Sequence, residues 1–164
     1  MPEAESSPME LIKFALVIVA ILAVSTGVYL LTSTSGLTGR LRWFMAIFFL
    51  TFGSFKLAGY QMFADMFSGY DIVAERFKPY AYAYPFIELA LGIAYASAKF
   101  QPWLDWVTLA VMAVGTVGVF RELKRRTGIH CACLGNIIKL PLSTVSLVED
   151  VGMGAMALFM IFGR

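Results

Sequence analysis

Five apolar stretches, each close to the length that crosses a bilayer, restrict this chain to very few folds. A membrane-spanning helix needs about 20 mostly apolar residues, because the helix rises about 1.5 Å per residue. The stretches lie at about residues 11–31, 43–65, 81–98, 103–120 and 142–162. The 164-residue chain is 59% hydrophobic and only 15% charged, with a mean hydropathy of +0.75. We therefore predict an all-α membrane protein, a bundle of five transmembrane helices.

The first apolar stretch is expected to be a retained helix rather than a secretory signal. The residues before it, 1–10, carry three glutamates and no lysine or arginine, whereas a signal peptide begins with a positively charged segment. The apolar run is also longer than the core of a typical signal peptide. The linkers between the five stretches are short, so we expect no soluble domain.

The distribution of Lys and Arg predicts the orientation of the chain. If five helices cross, one side holds eight basic residues: Lys13, Arg76, Lys78, Arg121, Lys124, Arg125, Arg126 and Lys139. The other side holds four: Arg40, Arg42, Lys99 and Arg164. The positive-inside rule then predicts a multi-pass protein of the bacterial inner membrane. Its N-terminus and the loop at residues 129–142, which holds both cysteines and is called the cysteine loop, are predicted to lie in the cytoplasm. The one basic run, residues 121–126, ends a membrane helix, so nucleic-acid binding has no support.

The loop before the last apolar stretch carries most of the reactive chemistry. Residues 129–142 hold both cysteines, Cys131 and Cys133, and the only histidine, His130. Two thiols one residue apart can close a small, strained disulfide or bind one soft metal ion. His130 could lower the pKa of a thiol or act as a third ligand, although a lone loop histidine is more often simply solvated. These three residues are the candidate catalytic group.

Four ionisable residues lie well inside the apolar stretches, away from their ends: Lys56, Glu88, Glu149 and Asp150. Counting residues from the helix ends places Lys56, Glu88 and Glu149 in one layer, about 10 to 12 Å below the face that bears the cysteine loop. Intramembrane charges usually find a partner, so Lys56 and Glu88 could simply lock the bundle. The carboxylates exceed the single lysine, and the surplus negative charge suggests that this layer handles protons or cations.

A row of methionines follows Glu149 on the last apolar stretch. Met153, Met156 and Met160 lie four, seven and eleven residues after Glu149, which places them on one helix face. Thioethers in a row can pass a soft cation such as Cu(I). Methionine is more often a flexible filler of core space. Both interpretations stay open here.

Two groups of sequence segments resemble a known family. The loop Cys131-Ala-Cys-Leu-Gly-Asn, followed by Pro141-Leu-Ser-Thr-Val and the pair Glu149-Asp150, looks like the MauE branch of the DoxX/MauE group of redox-associated membrane proteins. Phe48-Phe-Leu-Thr-Phe-Gly-Ser-Phe-Lys-Leu, Met62-Phe-Ala and Pro85-Phe-Ile-Glu-Leu-Ala-Leu-Gly are similar to the first two helices of the DoxX-like four-helix core. The resemblance covers about residues 41–163. It implies a tail and an extra helix in residues 1–40 and a four-helix core in residues 41–164.

The resemblance implies thiol chemistry at a membrane. MauE-like proteins are associated with maturation of a disulfide-rich amine dehydrogenase subunit in methylamine utilisation, and DoxX-like proteins with thiol or sulfur oxidation linked to quinone. The leading hypothesis is a thiol-disulfide oxidoreductase that uses Cys131, Cys133 and His130, with a redox protein as partner. The alternative is a carrier of copper or mercury that receives its ion from a metal-donor protein and uses the same loop with Met153, Met156 and Met160. A third possibility is a scaffold.

The sequence carries no motif for a covalently bound cofactor. The cysteines lack the spacing of a haem attachment site, and no glycine-rich phosphate loop follows a strand. Any cofactor is therefore expected to be a mobile quinone or, for the carrier, a soft metal ion such as Cu(I). The oligomeric state is left open.

Overall fold

The computed structural model describes residues 8–99, 101–125 and 142–163. Every regular element in this part of the chain is an α-helix. The helices are α1 (Pro8–Leu31), α2 (Gly36–Ala58), α3 (Tyr60–Phe67), α4 (Ile72–Arg76), α5 (Lys78–Ser97), α6 (Trp103–Arg125) and α7 (Leu142–Phe162). By length and composition, segments of α1, α2 and α6 could each cross a membrane. The prediction of an all-α membrane protein is confirmed, and the exact number of five spans stays a prediction, as does the division at residues 40 and 41.

The second predicted stretch, residues 43–65, is wrong as a single helix. Helix α2 begins earlier, at Gly36, and ends at Ala58, and α3 begins at Tyr60. The break falls at Gly59, with φ −115° and ψ 39°, because glycine is among the weakest helix formers. Lys56 consequently lies in the last turn of α2, whereas the depth expected from the sequence assumed a helix that continues to residue 65.

The long helices pack mainly in neighbouring pairs: α1 against α2, α2 against α5 and α6 against α7. Helices α2 and α5 approach closely at Gly92, where a Cβ atom would lie 3.1 Å from the carbonyl oxygen of Ala46. A larger residue at Gly92 would therefore push the two backbones apart. The close approach brings the middle of α2 against the second half of α5.

The outer surface of the bundle is apolar, as expected for helices in contact with lipid. Helix α1 contributes the largest share, because only Ile21 and Ser25 among its described side chains are buried. Exposed phenylalanines continue the surface on other helices, at Phe86 of α5, Phe120 of α6 and Phe159 of α7. Polar side chains that are buried in such a bundle therefore need partners inside the protein.

Candidate functional site

A buried ionic cluster joins three helices. Lys56 of α2 donates hydrogen bonds through Nζ to Glu88 Oε1 of α5 and to Glu149 Oε1 of α7, the latter at 3.1 Å. The exposed fractions of the three residues are 2% for Lys56, 0% for Glu88 and 4% for Glu149. We call Lys56, Glu88 and Glu149 the ionic cluster. The layer expected from the sequence is therefore a set of direct contacts between these three residues.

Two aromatic rings, those of Phe63 and Tyr84, lie beside the ammonium group of Lys56. Nζ of Lys56 lies 5.6 Å from the ring centroid of Phe63 and 5.1 Å from that of Tyr84. Phe63 belongs to α3, so the break at Gly59 turns the chain and brings this ring back towards Lys56. The negative faces of aromatic rings attract an ammonium group, most strongly where water is excluded. The rings stabilise the charged lysine and shield it from lipid.

The cluster has more negative than positive groups. One ammonium group serves two carboxylates, and Glu88 Oε2 and Glu149 Oε2 are buried without a hydrogen-bond partner among the described residues. Buried carboxylate oxygens without partners are costly, and binding a proton or a cation relieves that cost. The described residues contain no group of three or more His, Cys, Asp and Glu side chains able to hold a metal ion. The surplus of buried carboxylate oxygen over ammonium is the chemical property that distinguishes this cluster from a simple ion pair.

Asp150, the fourth residue predicted for this layer, lies against α6. A Cβ atom at Gly115 would lie 2.7 Å from Asp150 Oδ2, so the carboxylate occupies the space that the glycine leaves. Adjacent residues on a helix point about 100° apart, which explains how Glu149 faces Lys56 while Asp150 faces α6. Asp150 is also buried, with 7% of its surface exposed.

Sequence reasoning missed three further buried carboxylates, those of Asp71, Asp105 and Glu122. Asp71 caps α4, where Oδ1 accepts hydrogen bonds from the backbone N–H groups of Val73 and Ala74, each at 2.9 Å. Burial raises the pKa of the Asp71 carboxyl, and these two hydrogen bonds partly oppose the shift. Glu122 of α6 is 5% exposed. Asp71 Oδ2 and Glu122 Oε1 are buried without hydrogen-bond partners among the described residues.

The sequence did hold a signal for Asp71 but not for Glu122. An aspartate directly before Ile72 and Val73 is a typical helix N-cap. Its burial could not be foreseen, because it depends on contact with another helix: a Cβ atom at Gly118 of α6 would lie 3.1 Å from the Cα atom of Asp71. Glu122 lies one turn after Gly118, next to a run of basic residues that suggests an exposed helix end.

The remaining candidate residues fall into two groups. Cys131, Cys133 and His130 lie outside the described residues. Met153 and Met160 are buried in the hydrophobic core, with 2% and 0% exposed, and Met156 is half-buried against it. The methionine row therefore contributes to the packing of α7.

Comparison with known proteins finds one family. The family described as Methylamine utilisation protein MauE matches residues 30–163, which include α2 to α7. No curated protein and no solved structure matches the chain. The match covers all residues of the ionic cluster and the loop that bears both cysteines.

Proposed function

The chain belongs to the MauE family of membrane proteins linked to methylamine utilisation, and we propose that it is a membrane thiol-disulfide redox protein whose ionic cluster handles the protons of the reaction. The observation that carries the proposal is the position of Lys56 between Glu88 and Glu149. A purely structural ion pair needs one carboxylate, and this lysine has two. The second carboxylate is a group that can accept a proton while Lys56 stays paired with the first.

The proposed reaction oxidises a partner protein in two steps. The disulfide between Cys131 and Cys133 first accepts two electrons and two protons from a dithiol of the partner, which becomes a disulfide. The loop dithiol then transfers two electrons and two protons to a quinone dissolved in the bilayer, which becomes a quinol. His130 would support this exchange by favouring the reactive thiolate form of its neighbour.

The ionic cluster fits this role because its unpartnered atoms are proton acceptors. Glu88 Oε2 and Glu149 Oε2 have no hydrogen-bond partner among the described residues. Glu149 lies seven residues into α7, about 10 Å along the axis from the end of the cysteine loop. Lys56 keeps the cluster from accumulating two uncompensated negative charges.

Replacing Glu149 with Gln tests the proton role. The substitution keeps the shape of the side chain and removes its proton-accepting site. We expect Glu149→Gln to keep the reduction potential of the Cys131–Cys133 pair while the rate of quinol formation falls by roughly tenfold or more, since general acid–base groups contribute about 10²–10⁴-fold. Alkylation of free thiols at set potentials measures the first quantity, and absorbance of the quinone measures the second.

A matched control uses an exposed glutamate. Glu75→Gln changes a side chain that is 44% exposed, and its turnover should equal that of the unaltered protein. Equal turnover of the Glu149→Gln variant would contradict the proton role. If Cys131 and Cys133 never form an intramolecular disulfide, and the purified protein instead contains about one soft metal ion, the redox function is wrong and the metal carrier replaces it.

We further propose that the protein lies in the bacterial inner membrane with the cysteine loop in the cytoplasm. The support is the 8:4 distribution of basic residues across the five predicted spans. An impermeant maleimide applied to intact spheroplasts should leave Cys131 and Cys133 unlabelled until the membrane is opened. Rapid labelling from outside would reverse the proposed orientation.

A further inference from the structure

A polar cleft opens where α2 begins, at the end of this helix opposite the ionic cluster. Its volume is about 330 Å³. The lining residues are Thr34, Ser35, Thr38, Gly39, Arg42, Ala98 and Gln101. Arg42 is the charged residue among them and precedes Lys56 by 14 positions, so about 21 Å of helix separates the two. The cleft is therefore a separate site from the ionic cluster.

The charge of Arg42 is fixed in place but not neutralised. Nη1 of Arg42 donates to the backbone carbonyl oxygens of Tyr95 and Ala96 at 3.2 and 3.4 Å, near the end of α5. No carboxylate forms an ion pair with Arg42 among the described residues. The carboxylate of Asp105, which lies near the same end of α5, accepts a hydrogen bond from the hydroxyl of Tyr95 at 3.0 Å. Arg42 therefore retains its charge and further N–H donors for a ligand.

Other hydrogen-bond donors surround the same cleft. Gln101 Nε2 is buried and has no partner among the described residues. The side chain of Ser35 makes no capping hydrogen bond to α2, and the first turn of α2 contains no acidic residue. The first backbone N–H groups of a helix lack partners within the helix, and the helix dipole makes this end attract anions. A guanidinium, an amide and free N–H groups together favour a ligand rich in negatively charged oxygen atoms.

Apolar surface borders the cleft on the side of α1. A second, adjacent cleft of about 260 Å³ is lined by Tyr29, Gly36, Leu37 and Arg40. The guanidinium of Arg40 lies 5.3 Å from the ring centroid of Tyr29. Leu37, which lines this second cleft with Arg40, is 59% exposed, and Leu31 at the end of α1 is 85% exposed. Cationic groups directly beside exposed leucines suit a molecule with an anionic head and hydrocarbon chains.

We propose that the cleft at the start of α2 binds a phosphate oxyanion, and that the headgroup of an anionic phospholipid supplies it. Arg42, Gln101 and the first turn of α2 bind the phosphate, and Arg40 adds a second positive charge. The acyl chains lie along the exposed leucines. This site is independent of the thiol chemistry, so a test of lipid binding does not depend on the redox function.

Native mass spectrometry of the full chain in detergent tests the proposal. Phosphatidylglycerol, phosphatidylcholine and inorganic phosphate are added in turn, and the bound fraction is measured. We expect phosphatidylglycerol to bind more tightly than phosphatidylcholine, and Arg42→Gln to weaken its binding roughly tenfold, since a hydrogen bond to a charged group is lost. Arg76→Gln is the matched control, because it removes an exposed arginine after α4, at the opposite end of the bundle.

Variants that spare Arg42 guard against a folding defect. Arg42 also ties α2 to the end of α5, so Thr38→Val and Gln101→Leu are measured as well. Each should weaken phosphatidylglycerol binding severalfold and leave the unfolding temperature of the lipid-free protein unchanged. Equal binding of both lipids, or equal losses in Arg42→Gln and Arg76→Gln, would overturn the site. Binding of inorganic phosphate that depends on Arg42, with no preference for lipid, would overturn the lipid as its source.

Discussion

Two ion pairs with similar bond lengths lie in opposite surroundings. Nζ of Lys56 lies 3.1 Å from Glu149 Oε1, and both side chains are 3% exposed. Nη1 of Arg121 lies 2.9 Å from Glu75 Oε2, and these side chains are 40% and 44% exposed. Water can solvate either member of the second pair if the other is lost, but it cannot reach the first. Burial, rather than distance, therefore decides which pair controls stability and chemistry.

The largest effect is expected from Lys56→Leu. It leaves the carboxylates of Glu88 and Glu149 buried without their cation, which should reduce the free energy of unfolding by about 3–5 kcal/mol. Their burial inside the bundle makes solvation of these carboxylates by water difficult. Unfolding of the detergent-solubilised protein, followed by circular dichroism at neutral pH, measures the loss.

Combined replacements distinguish a pair from a cluster. Because Lys56 contacts both glutamates, Lys56→Leu with Glu88→Leu should recover only part of the lost stability. Adding Glu149→Leu should recover more, since no buried charge of the cluster then remains. If the double variant is as stable as the triple variant, the buried charge of Glu149 does not contribute to the loss of stability.

Asp71 provides an intermediate case, a buried carboxylate held by backbone N–H groups rather than by a lysine. Burial raises its pKa in the folded protein above the ordinary aspartate value of 3.8. The folded state therefore loses stability relative to the unfolded state as the pH rises through the interval between these two pKa values. Asp71→Asn removes this titration, so its stability relative to the unaltered protein should increase as the pH rises through the same interval.

Asp71→Ala separates the cap from the charge. It removes both hydrogen bonds to α4 and should cost about 1 kcal/mol. Thermal unfolding from pH 3 to pH 8 measures all three proteins. If Asp71→Asn instead loses stability relative to the unaltered protein as the pH rises, the two backbone hydrogen bonds outweigh burial and favour the charged carboxylate.

The smallest effect is expected at the exposed pair. Arg121→Gln should reduce the free energy of unfolding by less than about 1 kcal/mol, and the difference should shrink further at high salt. The same unfolding measurement in low and high salt tests this. A loss as large as that of Lys56→Leu would remove the distinction between the two pairs.

The ionic cluster shows how far sequence reasoning reached. An ionisable residue in an apolar stretch is visible in the sequence, and the rise of a helix gives its approximate depth. Lys56, Glu88 and Glu149 were recognised as ionisable residues inside apolar stretches, and the structure places them in contact. The depth expected for Lys56 rested on a helix that runs to residue 65, whereas α2 ends at Ala58. Asp71 and Glu122 lie outside the apolar stretches, and Asp105 lies only two residues into the fourth, so their burial was missed. The burial of Asp71 depends on the contact of the connecting segment with α6 at Gly118.

The sequence by itself determined the all-helical membrane architecture and the position of most helices, because a run of apolar residues in a helix is a local property. Only the tertiary structure decided which faces of those helices meet. It ended α2 before Gly59, turned α3 back towards Lys56 and left Arg42 without a carboxylate partner among the described residues. Hydrophobicity fixes that a helix enters the membrane, whereas the pairing of buried charges depends on contacts between residues far apart in the chain.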